Sequence, residues 1–131
     1  MSTMYSRSKI MYEQAIMALG KVAEDDAYLD IACFETQQAI EFLLKAILLE
    51  EGVEYGKTHH IGQLLELVLG TGFTFEKQDV LELLSDTITD WEESSRYGKG
   101  IRTTVQTVQR VHNVYKNMNE EFLKRQFDNN E

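Results

Sequence analysis

Apolar residues recur along this chain at intervals of three and four, the period of helices laid against a core, and glycines stand between the periodic runs. Tyr12, Ile16, Leu19 and Ala23 form one stripe and predict a first helix over 4–24, in which Gly20 costs about 1 kcal/mol relative to alanine. Asp25-Asp26 supplies a joint and an N-cap. Across 27–51, Phe42, Leu43, Leu44, Ala46, Ile47, Leu48 and Leu49 leave almost no polar face, as in a helix at the centre of a bundle. Such a helix is roughly 37 Å long, and Gly52 stops it. After a loop from Val53 to Thr58, Thr58 caps a short helix carrying Ile61, Leu64, Leu65 and Val68, which ends at Gly70-Thr71-Gly72. Thr74 caps a fourth helix with the stripe Val80, Leu81, Leu84, Ile88 and Trp91, and a loop from Ser94 to Gly100 follows. Ile101, Thr103, Val105 and Thr107 alternate as in a strand. The wider series Ile101, Val105, Val108, Val111, Tyr115, Met118 and Phe122 keeps helical spacing, so the last helix is placed at 101 to about 126, with a frayed polar end over 126–131. The expected fold is all-α: one domain over 1–131, an antiparallel up-and-down bundle of about five helices.

Composition narrows the function classes. The 131 residues include no proline, the strongest helix breaker. Thirteen Lys and Arg stand against 22 Asp and Glu, a net charge of −9, which excludes non-specific DNA binding through a basic surface. The single cysteine, Cys33, can form no internal disulfide, zinc knuckle or redox pair, and its apolar neighbours suggest a buried, inert thiol. No apolar run outside the N-terminal region is longer than that from Ala46 to Leu49, far short of a membrane span, and residues 1–20 hold no uninterrupted signal-peptide core. A cytoplasmic chain with no membrane contact is expected. One small bundle would not cover both the long stripe of the last helix and Trp91, which suggests a homodimer.

Three groups of residues could carry chemistry. Gln38, Glu41 and Lys45 share one face of the central helix, and Glu41 and Lys45 form an i, i+4 pair in the favoured order. They read either as a satisfied polar stripe between helices or as the wall of a site. Thr58-His59-His60 opens the third helix; adjacent histidines do not share a helical face, so no metal site is expected, and His59 caps or packs, with acid–base work left open. Between Ser94 and Arg102, three cations (Arg96, Lys99, Arg102) and two glycines lead into a helix N-terminus, an arrangement suited to an anion, and Tyr97 adds an aromatic face for a base. The plainer reading of that stretch is a solvated loop balancing Glu92 and Glu93. The candidate site lies where this loop meets the polar face and the Thr58-His59 cap. There the Arg96 fork would bind a phosphate or carboxylate, Lys99 would add charge, and Glu41 and Lys45 would orient the loop or pair with Arg96. No cofactor is implied.

Cys33-Phe34, Gln37-Gln38-Ala39, Glu41, Lys45-Ala46, Thr58-His59 and Ser95-Arg96-Tyr97 stand in an order and at intervals that resemble the HEPN family, over residues 8 to about 122. The resemblance implies an α-helical up-and-down bundle, commonly dimeric and often encoded beside a small nucleotidyltransferase in a toxin–antitoxin-like arrangement. It also implies nucleotide binding and, in many members, metal-independent RNA cleavage. Two features depart from the family pattern. Gly98 stands where many members have proline. Ribonuclease members carry Arg followed, after four to six residues, by His, and none of Arg7, Arg96, Arg102, Arg110 and Arg125 is so followed; His112 lies two residues after Arg110. The favoured reading is a non-catalytic module that binds a nucleotide or a partner nucleotidyltransferase. The alternatives are a divergent ribonuclease that pairs Arg96 or Arg102 with His59 or His112 and acts on RNA, and a structural dimer without a small ligand.

Overall fold

The computed structural model describes residues 2–97 and 102–129, and for Arg96 and Asn129 the backbone alone. Five helices account for most of it: α1 (Thr3–Leu19), α2 (Ala27–Glu50), α3 (Ile61–Gly70), α4 (Gln78–Arg96) and α5 (Val105–Asn129). No strand occurs among the described residues. Helix α2 is the axis of the bundle and packs against the other four. Its residues Ile40, Leu43, Leu44, Ala46 and Leu48 are completely inaccessible to solvent. Contacts between α1 and α5 pair falling numbers with rising ones: Tyr12 with His112 and Tyr115, then Tyr5 with Asn119 and Phe122. The two helices therefore run antiparallel.

Capping chemistry sets the helix ends, and several differ from the expected boundaries. Ser2 starts α1 by accepting from the Tyr5 N–H at 3.2 Å. The helix stops at Leu19, before the expected 24, because residues 20–24 tighten into short turns, with Lys21 bonded to Ala18 and Glu24 to Lys21. At the start of α2 the Asp25 carboxylate, not that of Asp26, accepts from the Ala27 N–H. The end of α2 follows the sequence pattern. Gly52 takes φ +69°, its N–H bonds to Leu49, and the Val53 N–H reaches back to the Leu48 carbonyl, closing a Schellman motif.

Thr58 and Thr74 do not cap α3 and α4. His60 occupies the first N-cap and accepts from the Gln63 N–H, while Thr58 sits two residues earlier and accepts from the His60 N–H. Phe73 and Phe75 are both buried, which pins the chain past Thr74, and α4 begins only at Gln78, whose side-chain carbonyl accepts from the Phe75 N–H. The stretch from Ser94 is not all loop, since α4 continues to Arg96. Helix α5 begins at Val105 rather than 101, with the Thr104 hydroxyl accepting from the Thr107 N–H; Ile101 lies outside the described residues.

Two stripes have different fates. On α5, Val108, Val111, Tyr115, Met118 and Phe122 are each at most 2% exposed, as is Trp91 on α4. One chain therefore covers Trp91 and the stripe from Val108 to Phe122, and exposed apolar side chains lie elsewhere, among them Ile10, Met17 and Ile31 on α1 and α2 and Phe127 near the end of α5. On α1 the buried residues are Tyr5, Ser8, Ala15 and Ala18, while Ile16 of the expected core stripe is 44% exposed. No described helix is long and apolar enough to cross a membrane.

Candidate functional site

The polar face of α2 is a continuous hydrogen-bonded relay. Gln38 Nε2 donates to Gln37 Oε1 at 2.6 Å, and Gln37 Nε2 donates to Glu41 Oε1 at 2.9 Å. Lys45 Nζ donates to Glu41 Oε2 at 3.0 Å, and His59 Nδ1 stands 3.0 Å from the same oxygen. Glu41 is 1% exposed and Lys45 7%. Two charges so deeply buried are tolerated only when paired and otherwise hydrogen-bonded, and Glu41 has three donors. The Lys45 ammonium also lies over the Tyr55 ring, 5.3 Å from its centroid.

His59 is the outward end of this relay. Its side chain is 59% exposed, although its partner Glu41 is buried. Since Oε2 acts as the acceptor, His59 Nδ1 donates to it, and Nε2 is left for solvent or a ligand. His60 is turned elsewhere: its Nδ1 accepts from the Gln63 N–H and its Nε2 approaches Asp86 Oδ1 at 3.4 Å. The two histidines thus serve different helices, and no group of three potential metal ligands occurs among the described residues.

Of the expected site residues, Gln38, Glu41, Lys45 and His59 come together. Thr58 does not join them; its hydroxyl donates to Gln63 Oε1. Tyr97 is 63% exposed at the end of α4, and Arg102 is exposed before α5. Lys99 and the Arg96 side chain lie outside the described residues, so the loop's contribution to the site is carried by the sequence alone. Gln37 and Tyr55 belong to the relay but were not singled out as site residues. Gln37 could have been found, since it stands four residues before Glu41 on the same helix; no sequence signal marks Tyr55, which reaches Lys45 from a loop.

A second polar cluster lies on the opposite face of α2 and contains no ionised group. Ser8 Oγ donates to the Ala39 carbonyl at 2.7 Å and shares a hydrogen bond with the Tyr115 hydroxyl at 2.9 Å. Thr36 Oγ1 and His112 Nε2 are 2.8 Å apart. Tyr12 stacks on Tyr115 and meets His112 edge-on. Burial, with a smaller effect from Lys116, pushes the His112 imidazole down to about 4, so it is neutral at pH 7. Burial, helped by the charge of Asp30, pushes the Cys33 thiol up to about 12, which makes it a poor nucleophile.

A helical bundle with a paired Glu–Lys inside α2 and a histidine held at its surface is the class of protein defined by this geometry. The family model of the HEPN domain matches residues 11–126, and the chain belongs to that family. Neither the curated proteins nor the solved structures compared with it gave a match.

Proposed function

We propose that this chain is a non-catalytic HEPN module that binds a nucleotide or a partner nucleotidyltransferase at the surface centred on His59. One observation carries the reading: a buried carboxylate fixes an imidazole that remains more than half exposed. A side chain held in one orientation loses less freedom on binding than a mobile one. The cations Arg96, Lys99 and Arg102, close together in an otherwise acidic chain, supply the charge that a phosphate needs. Pairing with a nucleotidyltransferase in a toxin–antitoxin-like arrangement fits the same surface.

Calorimetric titration with ATP, GTP and a short RNA tests the reading, using wild type, His59→Ala and Arg96→Ala. Binding of at least one ligand, weakened about tenfold or more by either substitution with helicity retained, is the expected result. Absence of heat with all three ligands would defeat the nucleotide arm and leave a partner protein as the ligand. The Glu41–His59 contact also favours a second reading, since a carboxylate-oriented imidazole is suited to acid–base chemistry. Cleavage of the RNA in the presence of a chelator, abolished by His59→Ala, would replace binding with ribonuclease activity.

A further inference from the structure

Helix α1 presents Tyr12, Ile16 and Leu19 on one face, spaced four and three residues apart, and this stripe lines an open cleft against α5. The cleft has a volume of about 490 Å³, within the range of small-molecule sites. Its α5 wall begins with Val105, and Gln109, Asn113 and Lys116 extend along the same face of the helix. The lining is therefore aliphatic and aromatic on the α1 side, with Val105, two side-chain amides, the His112 imidazole and an ammonium on the α5 side. No carboxylate is among the described lining residues, although the chain has 22 of them.

Two further observations point to an occupant. Ile16 is 44% exposed on a stripe that otherwise packs inward, an apolar surface left uncovered by the fold. Tyr12, which lines the same cleft, carries the only buried side-chain polar atom among the described residues that lacks a hydrogen-bond partner, its hydroxyl. That hydroxyl is closed to solvent, and a small shift of the ring toward the cleft would let a ligand polar atom pair it.

We propose that the α1–α5 cleft is a binding site for a small aromatic anion: a planar ring set against Ile16, Leu19 and Val105, its polar edge met by Gln109 and Asn113, and its single acidic group paired with Lys116. The site is separate from the surface around His59 and contains none of that surface's residues. A carboxylate and a phosphate satisfy Lys116 equally, so two probes distinguish the source of the acid: 2-naphthoate for an aromatic carboxylate and 2-naphthyl phosphate for an aromatic phosphate.

The test is a titration of the full chain with each probe, followed by amide chemical shifts, with 2-naphthol as the neutral counterpart of both. Expected are saturable shifts confined to residues near 12–20 and 105–116 for at least one acidic probe. Lys116→Glu should weaken that probe at least fivefold and leave its neutral counterpart unchanged. Ile16→Asp, a change at a half-exposed position, should weaken both members of the pair. His59→Ala should leave the affinity read from the cleft resonances unchanged, which separates failure of this site from failure of the His59 reading. The proposal is overturned if neither acidic probe saturates the cleft by roughly 5 mM or if Lys116→Glu binds as wild type does.

Discussion

Because His112 is neutral inside the bundle, acid should unfold this protein through a histidine as well as through its carboxylates. The imidazole is 6% exposed and held at about 4 against an ordinary value of 6.5. Between those two values the unfolded chain binds a proton that the folded chain refuses, so stability is present above pH 6.5 and is lost as pH falls toward 4. At 1.36 kcal/mol per pH unit the full loss is about 3 kcal/mol, of which about 2 kcal/mol falls between pH 7 and pH 5. A domain of this size has roughly 5–15 kcal/mol in total, so the loss is a sizeable share.

Other groups near the cluster do not produce the same profile. Tyr12 and Tyr115 are raised by burial and stay protonated throughout. Glu35 is raised by burial and acts with the opposite sign: its neutral form is favoured in the fold, so its protonation adds stability as pH falls. Comparison with His112→Gln cancels that effect, since the amide can keep the hydrogen bond to Thr36 but does not titrate. Urea unfolding at pH 7, 6 and 5 should show wild type falling about 2 kcal/mol more than the variant. Parallel profiles for the two proteins would refute the argument.

Glu41→Leu should cost about 3–5 kcal/mol in chemical unfolding because it leaves the Lys45 ammonium buried without its carboxylate, and adding Lys45→Met should recover part of that loss; no recovery would mean that the pair is not the source. Tyr12→Phe removes the unpartnered hydroxyl and should leave the unliganded protein as stable as wild type or up to about 2 kcal/mol more stable, read from the urea midpoint; a clear loss would show that the hydroxyl has a partner. Cys33 should resist an aromatic disulfide reagent at pH 8 and react only as the chain unfolds in urea, and rapid labelling of the native protein would contradict its burial.

The sequence pattern located the helices better than their ends, for a physical reason. A threonine can cap a helix wherever one begins, but burial of Phe73 and Phe75 decides that α4 cannot begin at Thr74, and aromatic docking of that kind has no local signature. The α1 stripe misled in a different way. The buried face of that helix includes Ser8, Ala15 and Ala18, residues of little hydrophobic weight. Ser8 is inside because its hydroxyl meets the Ala39 carbonyl and Tyr115, while the alanines are small enough for close packing; neither property registers in an apolar period. The Glu41–Lys45 pair was legible because both partners lie on one helix at a fixed spacing, and Tyr55 was not, because only the folded chain brings its loop to Lys45.

Both candidate surfaces depend on the central helix in the same manner. On one face of α2 the buried Glu41 fixes His59, and on the other Thr36, 1% exposed, fixes His112 beside the α1–α5 cleft. In each case a buried polar group on the best-packed helix restrains an imidazole supplied by a different element. Such contacts are directional where apolar packing is not, and they also favour one register of α2 against its neighbours. It follows that substitutions in α2 confound stability with ligand contact: Glu41→Leu disturbs Lys45 and His59 together, and a loss of binding in that variant says little about either. Binding is resolved by changing exposed groups, His59 on one side and Lys116 or Ile16 on the other, where the fold can tolerate the change.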